Sequence, residues 1–147
     1  MIREIKETDF ESYKKLRKTW LEDFQEKYHK DLNISSENIK KEFEELLSNP
    51  KRTAIILEED NKIIGYIIGS LYINVYRKAT FIDDLFIDKK YRKKGFATKL
   101  LNEFFKWSAS KEAKSIGLGV HLENHKALKL YKKLGFSITN YEMNKEL

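Results

Sequence analysis

The sequence predicts an α/β domain built on a mixed, mostly antiparallel sheet flanked by helices, and three observations lead there. Apolar residues recur at helical spacing in both halves of the chain. Between residues 52 and 87 the pattern changes to strand-like runs of Ile, Leu and Tyr. A strand-helix-strand unit from Phe81 to Val120 must then cross over right-handedly into a parallel pair. The resulting order is β-α-α-β-β-β-α-β-α-β.

Ile2 to Lys6 reads as a short strand, after which Thr8 or Asp9 caps a helix carrying Phe10, Tyr13, Leu16, Trp20 and Phe24 at helical spacing. A second helix begins at Ser35 or Ser36 and sets Ile39, Phe43, Leu46 and Leu47 on one face. It ends at Asn49-Pro50, because a residue before proline is pushed out of the helical region. Both helices are amphipathic covers. Arg52 to Leu57 and Lys62 to Ile73 form a hairpin around the polar turn Glu58 to Asn61, and a third strand, Thr80 to Ile87, follows a turn near Arg77-Lys78. The helix after Gly95 buries Ala97, Leu100, Leu101, Phe104 and Phe105. A short strand, Ser115 to Val120, a helix from Asn124 to Leu134 and a last strand, Phe136 to Lys145, complete the chain. No repeat, low-complexity tract or linker interrupts the pattern, so residues 1–147 read as one domain.

At 147 residues and 41% apolar content the chain is long enough for a single real core. A charged fraction of 35% and a net charge of +6 favour anionic ligands. The absence of cysteine excludes disulfides, thiolate metal sites and a cysteine nucleophile, so group transfer must use another residue or proceed directly. His29, His121 and His125 have no metal-ligand company, and no metal is expected. The first four residues already carry charge, and no apolar run approaches the roughly 20 residues of a membrane span. A soluble, cytoplasmic protein without a membrane partner is the expectation.

The run Phe81 to Thr98, FIDDLFIDKKYRKKGFAT, holds the chemistry. An apolar strand enters a basic turn whose glycine opens an amphipathic helix, which aims backbone N–H groups, a helix dipole and several cations at one point. That combination suits a polyphosphate. Arg92, Gly95 and Ala97 fall in the pattern Arg-x-x-Gly-x-Ala, with Lys93 and Lys94 between them. Gly95 lets the backbone approach a pyrophosphate, and Ala97 keeps the first helical turn small. Nucleic-acid binding by Lys89 to Lys94 is the poorer reading, since only Tyr91 and Phe96 supply interleaved aromatics.

The chain resembles the Gcn5-related N-acetyltransferase (GNAT) superfamily. FIDDLFIDKKYRKKGFATKLL is similar to its hallmark strand-turn-helix, and NHKALKLYKKLGF, Asn124 to Phe136, to a second unit downstream. The opening IREIKETDFE extends the likeness over nearly the whole length. The resemblance implies acetyl-CoA as co-substrate, its pyrophosphate held by backbone from Arg92 through Lys93, Lys94, Gly95, Phe96 and Ala97, with Thr98 nearby. It also implies that Phe81 to Ile87 splays from Ser115 to Val120, so that Leu85, Phe86 and Ile87 pair with the pantetheine amides as a strand would. Two positions depart from the family pattern: Ala97 stands where glycine is common, and Lys89 where proline is frequent.

Direct transfer to an amine with a lysine-like pKa requires a proton to be removed first, at a cost of roughly 4 to 5 kcal/mol at pH 7. Asp83 and Asp84 interrupt an apolar strand and, as neighbours, should alternate between its two faces. Asp83 is the preferred base, because the polyamine-acetylating branch that DDLFI resembles carries glutamate there. Asp84 is assigned to the substrate cation, and a strand-end carboxylate paired with a lysine is the plainer alternative. The resemblance makes Tyr131 the acid that protonates the departing sulfur and Asn124 a coenzyme A contact, although Asn124 is equally a good N-cap. Trp20, Phe24 and Tyr28, four apart, read as core. If they wall the acceptor site instead, Asp23, Gln25 and Tyr28 become substrate contacts.

The function expected is N-acetyl transfer to a small primary amine such as a polyamine. A protein N-terminus, a lysine side chain, an aminoglycoside and a non-catalytic coenzyme A module remain as alternatives. The short last strand leaves a sheet edge on which a second subunit could form a homodimer.

Overall fold

A computed structural model describes residues 1–147. Its elements in chain order are β1 (Ile2–Glu4), α1 (Phe10–Tyr28), α2 (Ser36–Ser48), β2 (Arg52–Glu59), β3 (Lys62–Ile73), β4 (Lys78–Ile87), α3 (Phe96–Ser110), β5 (Ile116–Leu118) and α4 (His125–Lys133). The five strands form one sheet in the order β1-β2-β3-β4-β5. Every neighbouring pair is antiparallel except β4 and β5, which run parallel as the crossover through α3 requires.

Local chemistry sets the ends of these elements. Ser35 caps α2 by accepting from the Asn38 amide at 3.1 Å, and Asn49 precedes Pro50 in an extended conformation, φ −87° and ψ 111°. Asp60 and Asn61 both take positive φ, 49° and 60°, the geometry of a two-residue hairpin turn matched to strand twist. Thr8 does not cap α1. A short 3-10 turn occupies Glu7–Asp9, and the Asp9 carboxylate receives two Arg3 nitrogens, at 2.7 and 2.9 Å, together with the Lys6 amide at 2.8 Å. That knot fixes the start of α1 against β1.

Two apolar layers sandwich the sheet. Tyr13 and Leu16 of α1 and Ile39, Phe43 and Leu46 of α2 meet Ala54, Ile56, Tyr66, Ile68 and Phe86 on one face. Leu100, Leu101 and Phe104 of α3 meet Ile55, Leu57, Ile67, Ile82 and Ile87 on the other, where α4 adds Leu130 and Tyr131. Thr80 and Ser108, both buried on this second side, satisfy one another at 2.7 Å.

The expected last strand is absent. After the Phe136 amide closes α4 on the Tyr131 carbonyl, residues 137–147 adopt no regular structure, and Ile138, Tyr141 and Met143 are exposed. A strand there needs an edge to pair with, and β5 offers only three residues. No helix is long and apolar enough to cross a membrane.

Candidate active site

The parallel pair parts almost as soon as it forms. β5 pairs with Thr80, Phe81 and Ile82 only, so Asp83 to Ile87 have no strand on that side, although Asp84 to Ile87 still pair with β3 on the other. Leu85, Phe86 and Ile87 therefore lie on an edge of β4 that no strand covers. The chain then makes a short turn over Lys89–Tyr91, capped by Asp88 through the Lys90 amide at 3.1 Å. It enters α3 with Lys93 and Gly95 both left-handed, φ 65° and 77°.

The start of α3 leaves backbone amides free at this turn. No side chain caps it, and the amides of Phe96, Ala97 and Thr98 have no acceptor within the helix. A Cβ on Gly95 would meet nothing within 4 Å, so glycine is required there by backbone conformation and the space beside it is open. Arg92 acts differently from its neighbours. Its Nε donates to the Ile87 carbonyl at 2.8 Å and its guanidinium lies 5.4 Å from the Phe86 ring centre, so the side chain ties the turn to the end of β4. Lys93 and Lys94 supply the surrounding positive charge, Lys94 over the Tyr91 ring at 5.6 Å.

Asp83 and Asp84 do not alternate between faces. The β3–β4 register runs Ile68 to Asp84 and then Gly69 to Ile82, which leaves Asp83 as an inserted residue in a bulge. Both carboxylates consequently face the α1/α2 side. Asp83 Oδ1 takes the Ser70 hydroxyl at 3.4 Å and its Oδ2 lies 3.6 Å from Arg52. Asp84 Oδ2 lies 3.1 Å from Arg17 Nη1. Arg17 itself is buried, donates Nε and Nη2 to the two oxygens of Glu42 at 2.8 Å each, and donates Nη1 to the Tyr66 hydroxyl at 3.3 Å. Tyr13 donates its hydroxyl to Glu42 at 2.5 Å, and the indole of Trp20 covers the guanidinium at 4.7 Å.

These surroundings separate the three carboxylates. Burial pushes Asp84 up to about 6, against the pull of Arg17. Burial also raises Asp83, offset by Arg52 and Ser70. Glu42 is driven up by burial too, but its two bonds from Arg17 and one from Tyr13 outweigh this and hold it below the ordinary carboxylate range. Burial and ion pairing thus set Glu42 apart from Asp83 and Asp84, lowering the first and raising the other two.

Tyr131 lies on α4 within the layer on the α3 side, its ring edge-on to Phe136 at 5.8 Å, and burial raises its pKa. Asn124 is the N-cap of α4, accepting from the Ala127 amide at 3.2 Å. Trp20, Phe24 and Tyr28 continue outward as a contiguous series with centroids 5.1 and 4.9 Å apart, the first pair stacked and the second tilted. Tyr28 then stacks on His121, just beyond β5, at 3.6 Å. Asp23 pairs with Lys89 at 3.9 Å. The outer half of α1 therefore joins the turn after β4 to the loop after β5, and only Trp20 of the three aromatics packs against the inner core.

Arg17, Glu42, Arg52 and Ser70 are site residues that the sequence patterns did not single out. The available signal was a charge at a core position. Arg17 falls four residues after Tyr13 and three before Trp20, and Glu42 three after Ile39 and four before Leu46.

The sheet opens between its parallel pair beside an uncapped helix N-terminus, in an α/β fold. The chain belongs to the acetyltransferase (GNAT) family, which it matches over residues 13–136. It is 29% identical over 108 residues to an uncharacterised N-acetyltransferase of Mycobacterium tuberculosis, a match covering 74% of this chain and 65% of the relative. The chain thus spans less than two thirds of the length of that relative. A putative ribosomal protein bS18-alanine N-acetyltransferase of Bacillus subtilis is 29% identical over 93 residues, covering 63% of this chain and 59% of its own. Among solved structures, an aminoglycoside N-acetyltransferase in complex with coenzyme A superposes with TM-score 0.83 at 22% identity, over 100% of this chain and 93% of that one. A transcriptional regulator from Bacillus halodurans reaches 0.84 at 16% identity, over 100% and 99%.

Proposed function

We propose that the protein transfers an acetyl group from acetyl-CoA directly to a primary amine, with a small molecule as acceptor. One juxtaposition carries this reading. The open amides of α3 and the Asp83–Asp84 pair lie along the same stretch of β4 that β5 leaves unpaired.

The residues fit the co-substrate. Phe96, Ala97 and Thr98 would receive its pyrophosphate, with Lys93 and Lys94 screening the charge, and the edge from Leu85 to Ile87 would pair with its amides. The bound thioester supplies the activated acetyl carbonyl. A carboxylate of the Asp83–Asp84 pair takes a proton from the acceptor ammonium, the freed nitrogen forms the new bond to the carbonyl carbon as the carbon–sulfur bond breaks, and the second proton now surplus on nitrogen passes to solvent to leave a neutral amide. Tyr131 gives its proton to the departing sulfur from the other side of the sheet. A raised tyrosine pKa makes that donation more uphill than for an ordinary tyrosine, so its share of the rate is small.

The acidic face of the bulge favours a cationic acceptor with more than one amine, such as a polyamine. A protein N-terminus is the second reading, favoured by the likeness to the putative ribosomal-protein-alanine N-acetyltransferase. A panel of polyamines, amino acids, aminoglycosides and N-terminal peptides, assayed with acetyl-CoA for released thiol, tests both. Release with polyamines supports the first reading. Silence from all small amines with turnover of an alanine-initiated peptide establishes the second. Silence throughout, with coenzyme A still bound, points to a non-catalytic module.

A further inference from the structure

The pair Arg17–Glu42, with Arg17 buried, has no part in the chemistry described so far, yet it is a closely held charge network that touches the site through Asp84. Arg17 uses each nitrogen differently. Nε and Nη2 are spent on Glu42, while Nη1 reaches Oδ2 of Asp84 and the Tyr66 hydroxyl. Oδ1 of Asp84 has no protein partner, whereas both oxygens of Asp83 are engaged. Trp20 and Tyr66 enclose the guanidinium, at 4.7 and 5.8 Å from their ring centres, which leaves Arg17 little freedom to move.

Resting on the acetyl-transfer reading, we propose that Asp84 is the proton acceptor and that Arg17 and Glu42 are its positioning pair. Arg17 holds Oδ2 and so presents Oδ1 to the acceptor ammonium. Glu42 occupies two arms of the same guanidinium and so prevents Arg17 from clamping Asp84 in a two-point ion pair. In the step itself an N–H bond of the ammonium breaks, its electron pair stays on nitrogen, and the proton bonds to Oδ1, leaving a neutral amine and a neutral acid. A guanidinium facing Asp84 alone would drive the carboxylate down and make it a poor base, as Glu42 itself shows. The charged and titratable groups around Asp84 are Arg17 from α1, Glu42 from α2, Tyr66 from β3 and Asp83 from its own strand, with Arg52 of β2 facing Asp83.

This arrangement gives opposite signs for two variants, which a purely structural role does not. Glu42→Gln keeps the side chain's shape and one acceptor oxygen, replaces the other with an NH2 that cannot accept from Arg17, and removes the negative charge, which frees Arg17's charge toward Asp84. Arg17→Met removes that charge. The probes are the Asp84 side-chain carboxyl titration followed by NMR in the protein without ligands, and the pH profile of kcat/KM for the best amine of the panel. In E42Q both the carboxyl titration and the acid limb should move down by about one pH unit, and in R17M both should move up by about as much. Arg17→Lys should lie between wild type and R17M. Equal or same-direction shifts in E42Q and R17M overturn the pair. A carboxyl titration that moves while the acid limb stays put overturns Asp84 as the acceptor. Should R17M fail to fold, E42Q alone decides, because an unmoved Asp84 titration in that variant removes the proposal. The titration requires no turnover, so it separates this inference from the functional reading, which fails if the wild-type protein acetylates no amine or peptide.

Discussion

Asp83 and Asp84 are adjacent on one strand, yet their carboxylates face the same side of the sheet, because Asp83 is the extra residue at the β3–β4 bulge. The bulge also sits where β5 leaves β4, so the two features act together: the strand bends away from its parallel neighbour and turns both acids toward α1 and α2. Asp84 is the more enclosed, with a side chain 14% exposed against 30% for Asp83. Loss of a general base costs on the order of 100-fold or more in rate. Asp84→Asn should therefore lower kcat by about 100-fold with coenzyme A affinity retained, while Asp83→Asn should cost less than about 10-fold. Steady-state kinetics on both variants, with coenzyme A binding by calorimetry, check the order. A larger loss in D83N reverses the assignment.

The same burial has a stability signature. Asp84 holds its proton up to about 6 in the folded chain, above the ordinary carboxylate value of 3.8. Its favourable contribution is thus complete below the ordinary value and is lost as pH rises through 6, because the folded state then surrenders a proton the unfolded state gave up earlier. Asn at this position has nothing to ionise. The difference in Tm between D84N and wild type should shift in favour of D84N between pH 4 and pH 7, and level off above. Thermal melts across that range measure it.

Most of the fold was legible because its helices and strands obey their periods. Tyr13, Leu16, Ile39, Phe43 and Leu46 fall where an amphipathic cover demands, and Lys62 to Ile73 is a strand in sequence and in fact. The turn into α3 was legible for a similar reason, since Gly95 ahead of an apolar-striped helix is a local signal. The bulge was not. A single inserted residue leaves no trace in a run as short as FIDDLFI, so strict alternation put Asp83 and Asp84 on opposite faces. The Arg17–Glu42 pair escaped because it joins residues 25 apart on two helices whose packing is a tertiary fact. The final strand failed for want of an edge, which pattern alone does not supply.

Gly95 offers a direct test of the pyrophosphate site proposed at the start of α3. Its φ of 77° is open to glycine and strained for a β-branched residue, while the space beside it is free. Gly95→Val should therefore disturb the amides of α3 rather than the core. Coenzyme A affinity should fall by at least about 10-fold, equal to 1.4 kcal/mol, with far-UV circular dichroism unchanged. Wild-type affinity in G95V would place the carrier elsewhere.

Tyr131 should show a small effect. Burial holds its proton more tightly than in a free tyrosine, and a coenzyme A thiolate is stable enough to leave with little help. Tyr131→Phe should reduce kcat by less than about 10-fold at neutral pH and leave KM for the amine unchanged. A loss near 1,000-fold would show that the leaving sulfur depends on this hydroxyl far more than its raised pKa implies.

The bulge itself can be probed from the neighbouring strand. Gly69 lies opposite Ile82, next to the inserted Asp83, and a Cβ there would stand 2.1 Å from Cε2 of Phe104 and 2.9 Å from the Phe81 carbonyl oxygen. Phe104 is fully buried, and the Phe81 oxygen is backbone, so neither yields cheaply. Overpacking of this kind costs about 1 to 3 kcal/mol. For a chain of this size Gly69→Ala should lower Tm by roughly 3 to 10 °C. Because the Phe81 carbonyl belongs to β4 just before it parts from β5, turnover should fall further than the loss of folded protein explains. Replacing Phe104 with Leu in the same chain relieves the contact with the ring but not that with the carbonyl. The double variant should recover part of the Tm and little of the activity. Full recovery of both would mean that Gly69 serves only to seat Phe104 and that the bulge needs no support from β3.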